Sequence, residues 1–207
     1  MIFEKGYLYH IYNQGNNKQK IFYNRDNYLF FLKKINNYIL PYGDILAWCL
    51  MPNHFHMMVL VKRIQLKETH LMTNNRYEDS HLMSGNERVK YKTLNNSIAI
   101  LLRTYTRAIN IQENKTGSLF KAHTKAECIN CFRGTKPSFI QSNILINNLL
   151  PEKQYPQACF DYIHQNPVKA NLVKKNIDWE FSSAKDYARL RNGKLINKNV
   201  AKEYVDF

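Results

Sequence analysis

The stretch Ile45 to Val61, ILAWCLMPNHFHMMVLV, holds two apolar runs separated by Pro52-Asn53. Two short apolar runs joined by a turn-forming pair predict a tight antiparallel hairpin. Beyond His56 the second run is apolar on both faces, the pattern of a strand in the middle of a sheet. Upstream, Tyr7 to Asn13 (YLYHIYN) is aromatic and β-branched and halts at Gln14-Gly15-Asn16-Asn17, a strand followed by a polar loop. Between these strands Tyr28, Leu29, Leu32, Ile35, Ile39 and Leu40 recur at helical spacing, predicting a helix over Asp26 to Leu40 that Pro41 and Gly43 stop.

Downstream, Lys62 to Asn95 is polar and has no sustained period, so it reads as an insertion. Asn96 or Ser97 can cap a helix through Ile109, in which Ile98, Leu101, Leu102, Tyr105 and Ile109 repeat at three and four. Ser118 to Thr124 suits a short strand and Phe139 to Leu150 a helix. A further helix is expected from Pro156 to about Gln165, because Asn166-Pro167 disfavours continuation. Ser182 or Ser183 would cap a last helix ending near Gly193. The order strand-helix-strand-strand-helix-strand predicts an α+β fold, an antiparallel sheet packed against helices. Residues 1–127, with the polar insertion 62–95, form its body, and residues 128–207 a helical C-terminal part.

Thirty Lys and Arg against 16 Asp and Glu give a net charge of +14, which points to a polyanionic partner. Fourteen Tyr and eleven Phe offer rings on which bases stack, favouring nucleic acid over an anionic membrane surface. No apolar run approaches the ~18 residues needed to span a bilayer, and Met1 to Gly6 lacks the apolar core of a secretory signal; a cytoplasmic location and no membrane partner are expected. Cys49, Cys128, Cys131 and Cys159 are too few and too irregular for a disulfide framework and are read as reduced thiols, with no role for the Cys128-x-x-Cys131 pair.

Two constellations bear chemistry. His54 and His56 lie two apart at the start of a strand and so face the same way, able to chelate one ion or to sit as ordinary hydrogen-bonded imidazoles. Tyr105 lies on the apolar stripe of its helix between Arg103 and Arg107, as a core aromatic or as a tyrosine flanked by phosphate-binding cations. The loop Asn13 to Lys20 (NQGNNKQK) combines amides, a glycine and lysines that suit phosphates and base edges.

The segments YHIYNQGNNKQKIF (Tyr9–Phe22), CLMPNHFHMMVLV (Cys49–Val61), RTYTRAIN (Arg103–Asn110), GSLF (Gly117–Phe120), YIHQNPVKANLV (Tyr162–Val173) and WEFSSAKDY (Trp179–Tyr187) occur in this order. Together they resemble the REP-associated tyrosine transposases, a branch of the HUH single-tyrosine transposases, over most of the chain apart from residues 62–95 and 128–155. The resemblance implies a ferredoxin-like sheet and a metal-dependent nickase that cuts single-stranded DNA at a structured palindrome. It further implies a 5′-phosphotyrosine intermediate. Carried over by position, His54 and His56 hold the cation, Mg²⁺ or Mn²⁺, and Tyr105 is the nucleophile; an adduct on another tyrosine, such as Tyr91 or Tyr162, would keep the enzyme class and move the nucleophile.

A third ligand is expected one turn from the tyrosine on its helix. Ile109 stands there and cannot coordinate; Asn110 is the nearest candidate, yet five residues place it ~140° around the helix. DNA contacts are expected from Asn13, Asn16, Asn17, Lys18, Lys20, Arg103, Arg107 and His123. Ala122-His123 replaces a Gly-Arg pair frequent in the family, and Asn171 replaces a glycine. The partner would be hairpin or single-stranded DNA, bound by a monomer or a homodimer. A catalytically inactive hairpin-binding protein and an RNA-binding module are the alternatives on the same fold.

Overall fold

The computed structural model describes residues 1–67, 91–131, 137–141 and 151–207. The first strand, β1 (Leu8–Gln14), leads through a tight turn into helix α1 (Arg25–Tyr38). Asn24 caps α1 and exchanges side-chain and backbone hydrogen bonds with Asn27, so two orphan N–H groups of the first turn are satisfied. The expected hairpin follows as β2 (Gly43–Met51) and β3 (His54–Val61). Gln65–Lys67 (β4) and Tyr91–Thr93 (β5) then pair as a small antiparallel ladder at the two ends of the polar insertion, whose residues 68–90 lie outside the described residues.

Helix α2 (Leu94–Gln112) starts three to four residues earlier than the sequence predicts, because Thr93 is its cap and accepts from the Asn96 N–H at 3.2 Å. The last sheet strand is β6 (Lys125–Cys128) rather than Ser118–Thr124, which contributes to the sheet's edge through the Gly15–Phe120 bridge. The order β2-β3-β1-β6, with each neighbour antiparallel, is the ferredoxin-like sheet, and β3 is internal as its two apolar faces require.

Alternation along β3 decides which side chains go to which layer. Phe55, Met57, Val59 and Val61 face α1 and α2 in one core; Met58 and Leu60 face the other core, and His54 and His56 share their side of the strand. That second layer is built by α3 (Ser138–Gln141), α4 (Tyr155–Lys169), α5 (Ala184–Tyr187) and α6 (Lys198–Ala201). Its central member, α4, lies against β2 and β3, so the helical C-terminal part covers one face of the sheet. Of the helix expected over Phe139 to Leu150, the structure describes the first turn as α3, and the rest lies outside the described residues.

Three further expectations are corrected. Helix α4 continues through Asn166-Pro167 to Lys169; proline supplies no N–H to the Ile163 carbonyl, but Pro167 is buried, and its packing outweighs the lost bond. The helix after Ser183 is a single turn, because the Ser183 hydroxyl is bound to Trp48 and to His164 rather than capping. Cys128 and Cys131, expected as thiols, are joined by a disulfide, the turn after β6 bringing their Cα atoms to 5.8 Å; Cys49 and Cys159 are buried and free. No helix among the described residues is long and apolar enough to cross a membrane.

His164 shows how the second core is braced. Its Nε2 lies 2.7 Å from Ser183 Oγ, and burial pulls its pKa down from 6.5 to about 4 although Asp186 opposes the shift. The folded state therefore binds fewer protons than the unfolded chain between these values, so this stability is complete above pH 6.5 and is lost as pH falls towards 4. At about 1.4 kcal/mol per unit the loss reaches about 3 kcal/mol. Denaturation of His164→Gln, which keeps a polar group for Ser183 but does not titrate, should show a shallower fall in stability over this range than the wild type; parallel curves would contradict the assignment.

Candidate metal and tyrosine centre

His54 and His56 point to the α4 side of the sheet, with ring centroids 5.0 Å apart. They do not meet Tyr105. That residue is 0 % exposed on the opposite side, edge-on to Phe31 at 4.9 Å and tilted against Phe120, and its hydroxyl donates to the Ile21 carbonyl at 2.7 Å. Phe55, between the two histidines in sequence, contacts Phe31 in that core, so the thickness of the sheet separates the expected nucleophile from the expected ligands. Burial also drives the Tyr105 phenol well above its ordinary pKa. Asn110 is likewise on the α2 side, its amide donating to the Gly117 carbonyl at 2.9 Å. Tyr105 is thus a core aromatic, and Tyr105→Phe should lower stability by about 1–2 kcal/mol, the cost of leaving the Ile21 carbonyl unpaired; a melting curve identical to wild type would contradict that bond.

The tyrosine beside the histidines is Tyr162 on α4. Its ring stands edge-on to His56 with centroids 5.3 Å apart, and it lines a cleft of about 310 Å³ together with His54, His56, Tyr12, Gln14, Lys121, His123 and Lys125. Tyr12 also approaches His56, at 5.7 Å, but its hydroxyl is committed to Glu127 at 2.8 Å and Ser138 at 2.9 Å, and burial raises its pKa to about 12. Burial raises the Tyr162 pKa too, with the Asn166 side chain opposing.

Asn166 lies one helical turn after Tyr162 on the same face, and its position bears on whether a cation fits. The Asn166 amide is spent on the Tyr162 carbonyl, so its Oδ1 is the atom turned to His54 Nε2, 3.4 Å away. On the other edge of the same ring, Nδ1 lies 2.6 Å from Asn53 Oδ1; Asn53 uses its own amide on the Lys18 carbonyl, so the proton of a neutral His54 belongs on Nδ1. His54 Nε2 and Asn166 Oδ1 then face one another as two lone pairs, an arrangement a cation completes. Burial lowers the pKa of His54 and, more strongly, of His56, which also feels His10 and His54; both are neutral at pH 7, the state a ligand requires. Two imidazoles and an amide oxygen are an N/O donor set compatible with Mg²⁺, Mn²⁺ or Zn²⁺. No group of three His, Cys, Asp or Glu among the described residues offers another metal site.

The basic loop sits at the same end. Gly15 N–H donates to Asn53 O and Asn16 N–H to Leu119 O, while Ile21 and Phe22 donate to Pro52 O. A Cβ on Gly15 would lie 2.1 Å from the Gln19 carbonyl oxygen, so only glycine closes this turn. Asn17 and Lys18, both left-handed, are exposed with Asn16 and Lys20. Asn13 is buried and braces Lys121 O and Thr124 Oγ1, leaving little of it for DNA. His123 is exposed at the junction of the histidine cleft with a groove of about 680 Å³ that runs to Arg103 on α2. Arg107 is exposed on α2, remote from the histidine face. Sequence reasoning named Tyr162 only as an alternative site for the adduct and missed Asn166, Lys121, Lys125 and the contact of His10 with His56. The first two carried a signal: a tyrosine with a coordinating side chain four residues on.

No family model and no curated protein matches this sequence. Among solved structures, the chain is similar to a REP-associated tyrosine transposase bound to a REP hairpin, with TM-score 0.52 over 95% of this chain and 92% of that one. This chain has the fold of that transposase. Identity between the two is 16%, so the likeness speaks for the fold.

Proposed function

We propose that this protein is a metal-dependent single-strand DNA nickase of the transposase type, with Tyr162 as nucleophile and His54, His56 and Asn166 as cation ligands. The observation that carries this is the convergence of His54, His56 and Tyr162 in one cleft whose rim bears Lys121, His123 and Lys125, with Asn166 Oδ1 3.4 Å from His54 Nε2. A bound divalent cation would supply Lewis-acid polarisation of the scissile phosphate. Tyr162 Oη attacks phosphorus and loses its proton to solvent; the bond from phosphorus to the 3′ oxygen breaks, and that oxygen takes up a proton. The products are a 5′-phosphotyrosine and a free 3′-hydroxyl, and the reverse attack rejoins the strand. Lys121, Lys125 and the Asn16–Lys20 loop hold the phosphate backbone, and the net charge of +14 draws it in. Lys169, with Nζ 5.4 Å from the Tyr162 ring centroid, favours the phenolate as it forms.

The test uses the full chain and single-stranded oligonucleotides from the DNA flanking its gene, each carrying a hairpin with a single-stranded flank. With Mn²⁺ an SDS-resistant protein–DNA band is expected, and EDTA should remove it. Hairpin binding without any such band would instead support the catalytically inactive binding protein.

A further inference from the structure

Resting on the cation site just described, the geometry points to His10 as a positioning residue that fixes the His56 ring. We propose that His10 takes up His56 Nδ1 and so leaves His56 Nε2 as the nitrogen presented to the cleft.

His10 and His56 sit on neighbouring strands, in register with Met58 and Tyr12 respectively, which makes them diagonal neighbours on one face. His10 Nε2 lies 2.9 Å from His56 Nδ1, with the rings nearly parallel at 18° and centroids 5.0 Å apart. His10 is itself clamped. Tyr12 stacks on it at 4.6 Å, and Phe139 and Tyr162 stand edge-on at 5.4 and 5.9 Å, so the His56 ring is tied to a partner that cannot turn.

Only one proton can lie between the two nitrogens. If His56 donates, its Nε2 keeps the lone pair a cation needs, and His10 must carry its proton on Nδ1. That atom is buried without a hydrogen-bond partner among the described residues. A phenylalanine would fill this aromatic nest without burying an unpaired polar atom, so packing does not account for an imidazole here. Orienting a ligand through its second nitrogen does.

The experiment compares wild type, His10→Phe and His10→Gln as full chains, with Mn²⁺ affinity by titration calorimetry and the His56 tautomer by ¹⁵N NMR with Mg²⁺. His10→Phe should weaken Mn²⁺ binding by about 10–100-fold, while His10→Gln, whose amide oxygen accepts from Nδ1–H, should stay within a few-fold of wild type. His56 should carry its proton on Nδ1 in wild type and His10→Gln and lose that preference in His10→Phe. Mn²⁺ binding by His10→Phe equal to wild type would overturn the proposal, as would equal losses in both variants. If His10→Phe does not fold, a wild-type His56 protonated on Nε2 with Mg²⁺ present overturns it. A wild type that binds no Mn²⁺ would overturn both this inference and the proposed function.

Discussion

Tyr162→Phe is expected to eliminate the covalent protein–DNA adduct, a loss of at least about 10³-fold, the scale reached when a nucleophile is deleted. Phenylalanine keeps the ring that packs edge-on to His56 and near Phe139, so folding and hairpin affinity should stay close to wild type. Tyr105→Phe is the matched control. It removes a hydroxyl that is bonded to Ile21 across the sheet from the histidines, and it should lower the melting temperature while leaving the adduct intact. Gel assays of the two variants side by side separate the tyrosines: loss of adduct in Tyr105→Phe at unchanged fold would reverse the assignment.

The second large effect concerns the ligands. His54→Ala and His56→Ala should each weaken Mn²⁺ binding by more than about 100-fold, since loss of an outer partner alone costs 10–100-fold, and each should abolish cleavage. Hairpin affinity measured in EDTA should not change, because the lysines of the rim and loop carry it. Asn166→Ala should fall between these and wild type, the oxygen facing His54 being lost while both imidazoles remain. Calorimetric titration of Mn²⁺ checks all three, and wild-type affinity in either histidine variant would remove the cation site.

The sheet was legible because its signals are local. Apolar runs flanking Pro52-Asn53 specify the hairpin, and an internal β3 follows from its two apolar faces. The histidine pair was legible for the same reason, two residues apart on a strand being one face. The proposed nucleophile was not, because periodicity assigns a residue to a helix face without saying which side of the sheet the helix covers. Tyr105 follows the apolar stripe of α2 and is buried accordingly; Ile109, one turn on, was already the wrong residue for a ligand. Tyr162 with Asn166 meets that spacing, but Asn166-Pro167 reads as a helix end, and the burial of Pro167 against which α4 continues is a tertiary effect. His10 could not be read as a partner of His56 because their contact depends on strand register, which the sequence pattern leaves open.

The most direct test of the central claim is peptide mapping by mass spectrometry of the wild-type adduct trapped on a hairpin oligonucleotide in Mn²⁺. The account predicts the nucleotide on the peptide containing Tyr162. A nucleotide on Tyr105, or on Tyr12, would contradict it.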